Sequence, residues 1–212
     1  MKYEVQRKEY TKRTLDQNEL GEDPLKALSS WLQEAFDLSL LEPNAAVLAT
    51  ANKLGRPTSR SILIKEIDDE ALFFYTNLES RKASDLKENP YASLTFLWKE
   101  LERQVTLEGK VFLLSREESF SYFKTRPRES QLAAWASCQG KPLSSREELL
   151  NAFEIERKRF ENFLEIPLPD KWGGFRFVAE TLVFWQGREN RLHDRFLFVK
   201  EKEQWKATRI AP

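Results

Sequence analysis

The sequence contains few of the residues that several common classes of site require. Its 212 residues include one cysteine, Cys138, so no intrachain disulfide can form, and one histidine, His193. This pair argues against a zinc centre or another thiolate-imidazole metal cluster. Lys and Arg together number 34, as do Asp and Glu, so the net charge is zero. No overall field therefore recruits nucleic acid or an anionic membrane, and basic clusters must serve compact anions.

Long apolar runs and targeting signals are missing as well. No stretch approaches the roughly 20 apolar residues of a membrane span, and the charged first ten residues lack the apolar core of a secretory signal. We therefore expect a soluble, cytoplasmic protein. No Walker loop, G-x-G-x-x-G or G-x-S-x-G motif occurs. Residues 1–22 are polar and contain Gly21, so we expect a flexible N-terminal arm there. Because no Pro/Gly/Ser-rich linker divides the chain, we expect a single domain over 23–212.

Hydrophobic spacing predicts a mainly β protein with helices, of the α+β class. Most connections between predicted strands are too short for parallel crossovers, so the sheet is expected to be antiparallel and to close into a barrel. Asp23, Ser80, Ser115 with Glu118, and Ser144 with Glu147 are predicted helix caps. The predicted helices span 24–38, 81–88, 116–125 and 145–164, with a short piece after Pro127. The predicted strands span 45–51, 58–67, 71–77, 92–98, 103–114, 175–185, 192–200 and 204–210.

The sole histidine belongs to an alternating pattern, Arg191, His193 and Arg195. On a strand these side chains would share one face and form an anion-binding, proton-handling surface. The alternative is a solvated edge strand whose charges discourage aggregation. Apolar residues on both sides, Phe184-Trp185 and Phe196 to Val199, favour a site because the charges interrupt a core-forming stretch.

Further cations occur where an anion would stabilise them. Arg81 and Lys82 follow Ser80 at a predicted helix start, where cations oppose the helix dipole unless a phosphate is bound. Arg60 and Lys65 flank an apolar strand but lie on opposite faces of a regular one, so they serve one site only if a bulge intervenes. An ordinary surface turn and strand-end charges are the alternatives.

Three residues spaced four apart, Tyr122, Arg126 and Ser130, could align on one helical face as a phosphate clamp, although Pro127 interrupts that helix. Gln104 opens a strand and could contact the polar edge of a ring; an exposed glutamine is the alternative. Tryptophans near 135 and 172 either shield a planar ligand or fill core. Together these features indicate a site for phosphorylated, planar molecules.

The ordered motifs closely resemble the pyridoxine/pyridoxamine 5′-phosphate oxidase family from about residue 3 to the C-terminus. The stretches that carry this resemblance are Pro43-Asn44-Ala45, Arg60 to Lys65, Phe74 to Asn77, Ser80-Arg81-Lys82, Glu102 to Val105, Tyr122-Phe123, Arg126-Pro127, Ser130-Gln131, Ala134 to Ser137, Trp172-Gly173-Gly174, Phe184 to Gly187, Arg191 to Arg195 and Arg209 to Pro212. The resemblance implies an FMN-binding split β-barrel that works as a homodimer, with flavin at the subunit interface.

The implied reaction oxidises pyridoxine or pyridoxamine 5′-phosphate to pyridoxal 5′-phosphate by hydride transfer to flavin, with O₂ as acceptor and H₂O₂ as product. The resemblance assigns the flavin to Arg60, Arg81, Lys82, Tyr75, Thr76, Gln104, Gln139, Gly140, Trp185 and Arg195, with Lys65 nearby. It assigns the substrate phosphate to Lys65, Tyr122, Arg126 and Ser130. Arg191 and His193 match catalytic residues against the pyridine ring, and Arg7 and Tyr10 match residues that close over the substrate.

One departure concerns Gly140, where the family usually has serine, so a hydroxyl contact to FMN is replaced at best by a backbone N–H. The loss of one neutral hydrogen bond predicts flavin binding weaker by at most about tenfold. Two other functions are the alternatives. A flavin- or haem-related split-barrel protein of another activity would not need the substrate-binding set. A nucleic-acid-binding module conflicts with the zero net charge and the lack of a basic stripe.

Overall fold

The computed structural model describes residues 9–202 and 204–212. In these residues the strands are β1 Ala45–Ala51, β2 Pro57–Leu63, β3 Glu66–Ile67, β4 Leu72–Asn77, β5 Tyr91–Trp98, β6 Arg103–Leu113, β7 Trp172–Gln186, β8 Asp194–Glu201 and β9 Gln204–Arg209. The α-helices are α1 Gln17–Leu20, α2 Pro24–Asp37, α3 Arg81–Glu88, α4 Arg116–Phe123, α5 Arg128–Ala136 and α6 Arg146–Arg159. Single 3₁₀ turns lie at Lys99–Leu101 and Glu189–Arg191.

The strands form an antiparallel sheet in the order β2-β1-β5-β6-β7-β4-β3, and β8 and β9 extend it from β7. Strand β7 organises this sheet: it pairs with β6 along most of its length, with β4 through its first half and with β8 through its second half. Strands β4 and β8 share one edge of β7 and occupy different halves of that edge. A strand with three partners in this arrangement must curl. This arrangement confirms the predicted antiparallel barrel with inserted helices.

Local sequence signals position several elements as predicted. Strand β1 and helix α3 have the predicted bounds, and the Asp23 carboxylate caps α2 by accepting from Leu25 N. The Ser115–Glu118 capping box forms. The second predicted box is wrong by one residue: Ser145 caps α6, and Ser144 hydrogen-bonds the Glu148 carboxylate instead.

The predicted strand over 58–67 is interrupted at Ile64 and Lys65. Ile64 N donates to Asn44 O just before β1, whereas Lys65 N donates to Phe73 O on β4. The chain therefore turns a corner here and exchanges one neighbouring strand for another. Helix α6 ends at Arg159, five residues before the predicted end, where the Arg128 guanidinium binds the carbonyls of Phe160 and Phe163.

Two apolar cores support the fold. The larger lies inside the curled sheet and includes the fully buried Leu48, Phe74, Phe96, Phe184 and Phe198. The smaller packs α4 to α6 against the start of β7 through Phe123, Leu132, Phe160, Ile166 and Trp172. The first core fixes the strands, and the second holds the helices over one end of β7.

The segment before α2 is attached to the barrel. Leu15 N donates to the Asp194 carboxylate and Lys12 N to the Glu102 carboxylate, while Arg13 pairs with Glu34 at 2.9 Å. The short helix α1 was not predicted, and it carries its own capping box from Asp16 and Glu19. Within the described residues, no helix is both long and apolar enough to cross a membrane.

Candidate functional site

The first group of candidate residues is a cationic cluster of Arg60, Arg81 and Lys82 where β2 meets the start of α3. Lys82 is buried, and its Nζ donates to Gln139 Oε1 at 2.7 Å, Thr76 Oγ1 at 2.9 Å and Ser80 Oγ at 3.2 Å. All three acceptors are neutral. Burial, with nearby Arg60 contributing, lowers the pKa of Lys82 to about 8. This ammonium lacks a carboxylate partner among the described residues, and a phosphate would supply the missing charge.

Arg60 is held rigidly beside Lys82 by hydroxyl groups. Its guanidinium donates to Thr50 Oγ1 at 2.8 Å and to Thr58 Oγ1 at 2.6 Å. The single nearby carboxylate, Asp85, lies 4.0 Å away and accepts from the same two threonines. Burial lowers the pKa of Arg60, and the charge of Arg81 lowers it further. The cluster thus holds three cations against one carboxylate.

The start of α3 leaves room for an anion. Ser80 occupies the predicted cap position but makes no side-chain cap hydrogen bond, because its Oγ accepts from Lys82. The first N–H groups of the helix therefore remain uncapped by Ser80, and they point in the direction that favours a phosphate. The residues present fit the phosphate of a nucleotide cofactor.

Gln139 and Gly140 lie in a tight turn that Lys141 N closes by donating to Cys138 O at 3.0 Å. Gly140 has φ +84°, a value that L-residues with side chains rarely adopt and that a type II turn needs at its third position. This turn explains why glycine suits the position, and it directs the Gln139 side chain to Lys82 and Thr76.

A second group stacks beside the first on β4 and α4. The rings of Tyr75 and Tyr122 are parallel at 3.8 Å, and Tyr75 also stacks on Trp172 at 5.5 Å. Arg126 lies over Trp172 at 4.8 Å. Burial raises the pKa of Tyr75 to about 12, with a smaller contribution from the charge of Glu66. We call Tyr75, Tyr122, Arg126 and Trp172 the arginine–aromatic cluster.

Arg126 is the polar centre of this cluster. Its Nη1 is buried without a hydrogen-bond partner among the described residues, and burial lowers the pKa of its guanidinium. An unsatisfied buried donor costs about 1–3 kcal/mol, more when charged, so its retention points to an anionic acceptor.

The predicted single helical face for Tyr122, Arg126 and Ser130 is wrong. Helix α4 ends at Phe123 and α5 begins at Arg128, because Pro127 cannot continue a helix. Tyr122 thus lies in the last turn of one helix and Ser130 in the first turn of the next, with Arg126 between the two helices. Lys65 is exposed at the corner between β2 and β3, and no hydrogen bond or ion pair within residues 9–202 and 204–212 places its side chain.

The third group surrounds the only histidine. The His193 ring lies 4.7 Å from the Trp185 ring, and Tyr10 contacts both rings edge-on at 5.6 to 5.7 Å. Gly187 permits this approach, because a Cβ there would lie 2.7 Å from the Tyr10 ring. A cavity of about 510 Å³ opens beside Tyr10, Gln104 and Trp185. We call Tyr10, Gln104, Trp185 and His193 the histidine cluster.

The predicted strand alternation of Arg191, His193 and Arg195 is also wrong. Strand β8 begins only at Asp194, and Asn190 and Arg191 have left-handed backbone conformations with φ 54° and 61°. The approach to His193 is therefore a tight turn, not a strand. The charges of Arg191 and Arg195 still reach His193 and reinforce burial in lowering its pKa, while Asp194 opposes this effect.

Of the two remaining predicted residues, Arg195 lies beside this cluster because it pairs with Trp185 on the neighbouring strand. The Arg195 guanidinium donates to Ala211 O at 3.0 Å, so it is held by the C-terminal residues. Arg7 lies outside the described residues. The sequence analysis missed Thr50, Thr58 and Asp85, which fix Arg60; they carry no local signal because strand pairing and a helix packed across β1 bring them together.

The histidine cluster lies far along β7 from the other two groups. Tyr75 pairs with Gly174 near the start of β7, and Gln104 pairs with Trp185 near its end. Those two β7 residues are eleven apart, which is about 36 Å along a strand at roughly 3.3 Å per residue. One chain therefore places its candidate residues in two groups that are separated by most of the length of β7.

The sheet is antiparallel and curled, with cations that could bind an anion at one end and an aromatic cavity that contains the histidine at the other. This arrangement defines the class as a split β-barrel that resembles pyridoxamine 5′-phosphate oxidase. The family model described as pyridoxamine 5′-phosphate oxidase matches residues 32–162, and the model described as pyridoxine 5′-phosphate oxidase C-terminal dimerisation region matches residues 172–212. The chain belongs to the pyridoxamine 5′-phosphate oxidase family, and the resemblance noted from the motifs is confirmed.

Individual relatives agree with this assignment. The chain is 48% identical to a pyridoxine/pyridoxamine 5′-phosphate oxidase of Rippkaea orientalis over 97% of both chains. It is 46% identical to the Escherichia coli protein of that name over 97% of this chain and 94% of the relative. Among solved structures it is similar to PhzG from Burkholderia lata, in complex with tetrahydrophenazine-1-carboxylic acid, with a TM-score of 0.87, 29% identity and coverage of 94% and 98%.

Proposed function

We propose that the protein is an FMN-dependent oxidase that converts pyridoxine 5′-phosphate and pyridoxamine 5′-phosphate to pyridoxal 5′-phosphate. The observation that carries this proposal is a pair of cationic groups, the buried Lys82 ammonium and the partly buried Arg126 guanidinium with its buried Nη1, which have no ion-pair partner among the described residues. Two such cations suit two phosphates, one on the cofactor and one on the substrate. Relatives named pyridoxine/pyridoxamine 5′-phosphate oxidase, which are almost half identical to this chain over nearly their whole length, support the assignment.

In this proposal each group of residues has a defined task. The cationic cluster binds the FMN phosphate, and Gln104, Trp185 and Arg195 contact the flavin from the second chain. Arg126, with Tyr122, Ser130 and Lys65, binds the substrate phosphate. Arg191 and His193 orient the pyridine ring, and Tyr10, with Arg7, closes over it and excludes water. When bound, FMN supplies the acceptor for the hydride, and O₂ is the final oxidant, giving H₂O₂.

The direct test incubates the FMN-loaded protein with each phosphorylated substrate under air. We expect pyridoxal 5′-phosphate and H₂O₂ to appear in equal amounts, whereas pyridoxine without a phosphate should react far more slowly, since Arg126 would have no partner. Absorbance of the aldehyde product and a peroxide assay measure both products. An FMN-loaded protein that forms neither product would instead support a split-barrel protein of another activity.

Lys82→Ala is expected to weaken FMN binding roughly 10- to 150-fold, the equivalent of about 1.5–3 kcal/mol for one hydrogen bond to a charged group. The fold should survive, because Lys82 contacts polar side chains and not the apolar core. Fluorescence titration of FMN measures the dissociation constant. Lys87→Ala, an exposed lysine at the other end of α3, is the matched control and should bind FMN normally. An unchanged constant in Lys82→Ala would remove Lys82 from the site.

FMN affinity should also fall as the pH rises above about 8. The free protein loses the Lys82 proton there, because burial holds its pKa near 8, whereas a bound phosphate would keep the ammonium charged. Binding then requires proton uptake, and the dissociation constant rises by up to about tenfold per pH unit. The same titration repeated with Lys82→Ala should lack this slope; an equal slope in both proteins would contradict the role of Lys82.

A homodimer follows from the two separated halves of the site. Val47 on β1 and Leu97 on β5 expose apolar side chains on the outer face of neighbouring strands, and Leu97 borders the cavity beside Trp185. Light scattering should give twice the 25.0 kDa chain mass. Leu97→Glu should shift the protein towards monomer with loss of activity, whereas Leu164→Glu, on an exposed loop outside the sheet, should not. An FMN-loaded, active monomer would contradict the dimer.

A further inference from the structure

The only histidine of the chain has one ring nitrogen already occupied. The backbone N–H of Arg188 donates to Nδ1 of His193 at 3.0 Å. A backbone N–H only donates, so Nδ1 must be an unprotonated acceptor. In the neutral imidazole the proton then lies on Nε2, and that nitrogen presents a donor and no lone pair.

Arg188 is itself anchored by a network of charges. Its guanidinium donates to Asp194 Oδ2 at 3.0 Å, and Asp194 directly follows His193 in the chain. Asp194 also accepts from Arg209 Nη1 at 2.6 Å and from Leu15 N at 3.1 Å. The ion pair between residues 188 and 194 thus closes the turn that carries Arg191 and His193, and it ties this turn to both ends of the chain.

We propose that Arg188 is a positioning residue for His193: its backbone N–H holds Nδ1, its ion pair with Asp194 fixes that N–H, and Nε2–H is presented to the substrate as a hydrogen-bond donor. The identity of the substrate rests on the function proposed above, with an electron-rich oxygen of the phosphorylated pyridine as the acceptor. His193 then orients the ring and does not remove a proton, because a base at Nε2 needs a lone pair there.

The surroundings keep the imidazole neutral. Arg191 and Arg195 repel a second positive charge, and Tyr10 and Trp185 cover the ring without compensating one. The nearest carboxylate, Asp194, is already shared by Arg188 and Arg209. Protonation of Nδ1 would also force it against the Arg188 N–H. Burial and these charges accordingly lower the pKa of His193 below its ordinary value of 6.5.

The test reads the tautomer directly, since a single histidine gives a single pair of imidazole nitrogen signals. The FMN-loaded protein is labelled with ¹⁵N-histidine and titrated by NMR. We expect Nδ1 to appear as the unprotonated nitrogen, Nε2 as the protonated one, and the midpoint to lie below 6.5. A proton on Nδ1, or an imidazolium that persists at neutral pH, would overturn the proposal.

Variants of Arg188 test the anchor. Arg188→Ala should raise the titration midpoint of His193 and populate both neutral tautomers, because the turn loses its ion pair with Asp194. Arg188→Lys keeps a cation for Asp194 and should restore the single tautomer. Arg157→Ala removes a comparable guanidinium–carboxylate pair on α6, and it should leave both the titration midpoint and the tautomer of His193 unchanged. Signals of Arg188→Ala identical to wild type would overturn the positioning role.

Turnover supplies an independent arm of the test. The amide nitrogen of glutamine reaches the position of Nε2, and that of asparagine reaches Nδ1, so His193→Gln should retain more kcat/KM than His193→Asn. Asparagine performing better than glutamine would overturn the donor role. A wild-type protein without oxidase activity would refute the proposed function. The NMR measurement would still test the tautomer of His193, because it does not depend on turnover.

Discussion

Arg191→Ala is expected to lower kcat/KM for pyridoxine 5′-phosphate roughly 10- to 150-fold while FMN stays bound. Arg191 is exposed at the tip of a left-handed turn, and its charge reaches His193. The variant loses a charge-assisted contact to the substrate, about 1.5–3 kcal/mol. In the proposed site the flavin phosphate is bound by Lys82 and its neighbours at the other end of β7, so we expect FMN binding to survive. Steady-state kinetics and the flavin absorbance of the same sample separate the two effects.

Lys202 offers a matched control for Arg191. It is another exposed cation with a positive φ, 59°, and it lies between β8 and β9. Lys202→Ala carries the same backbone strain and the same loss of one charge, and it should leave kcat/KM unchanged. Wild-type kinetics in Arg191→Ala, or flavin loss in proportion to activity, would contradict the assignment of Arg191 to the substrate.

Arg126→Met should produce a loss of similar size that depends on the substrate phosphate. Methionine keeps an apolar chain against Trp172 and Phe123 but removes the guanidinium and its buried Nη1. We expect kcat/KM for the phosphorylated substrates to fall roughly 10- to 150-fold, mostly through KM. The slow reaction of pyridoxine without a phosphate should hardly change, since that substrate has nothing for Arg126 to bind.

Arg128, two residues after Arg126, provides the matched control for Arg126→Met. Its guanidinium already binds the carbonyls of Phe160 and Phe163, so its task is structural. Arg128→Met should lower the melting temperature and leave KM for the phosphorylated substrates unchanged. If Arg126→Met reduced turnover of phosphorylated and unphosphorylated substrates equally, Arg126 would not bind the substrate phosphate.

The sequence predicts those parts of the fold that depend on neighbouring residues. Asp23 before Pro24 begins α2 as expected, and β1 coincides with the short β-rich run predicted over 45–51. The prediction fails where a distant partner decides the conformation. At Ile64 and Lys65 the backbone exchanges β1 for β4 as its hydrogen-bonding neighbour, and no property of those two residues alone requires that exchange.

The same limit applies to the site. The unusual placement of Lys82 at a helix start indicates an anion, but its burial and its bonds to Thr76 and Gln139 arise from packing. The alternation around His193 suggests a strand, and only the left-handed conformations of Asn190 and Arg191 exclude it. Such conformations are uncommon for arginine, so the sequence gives no reason to expect one there.

The length of β7 has a genetic consequence. If each chain contributes Lys82 to one site of the dimer and Arg191 to the other, a mixed dimer of Lys82→Ala and Arg191→Ala chains has one site with both defects and one with none. Random re-pairing of the two impaired proteins makes about half the dimers mixed, so that about a quarter of all sites become intact. Two defective alleles would therefore complement each other, whereas two defects at the same end of β7 would not.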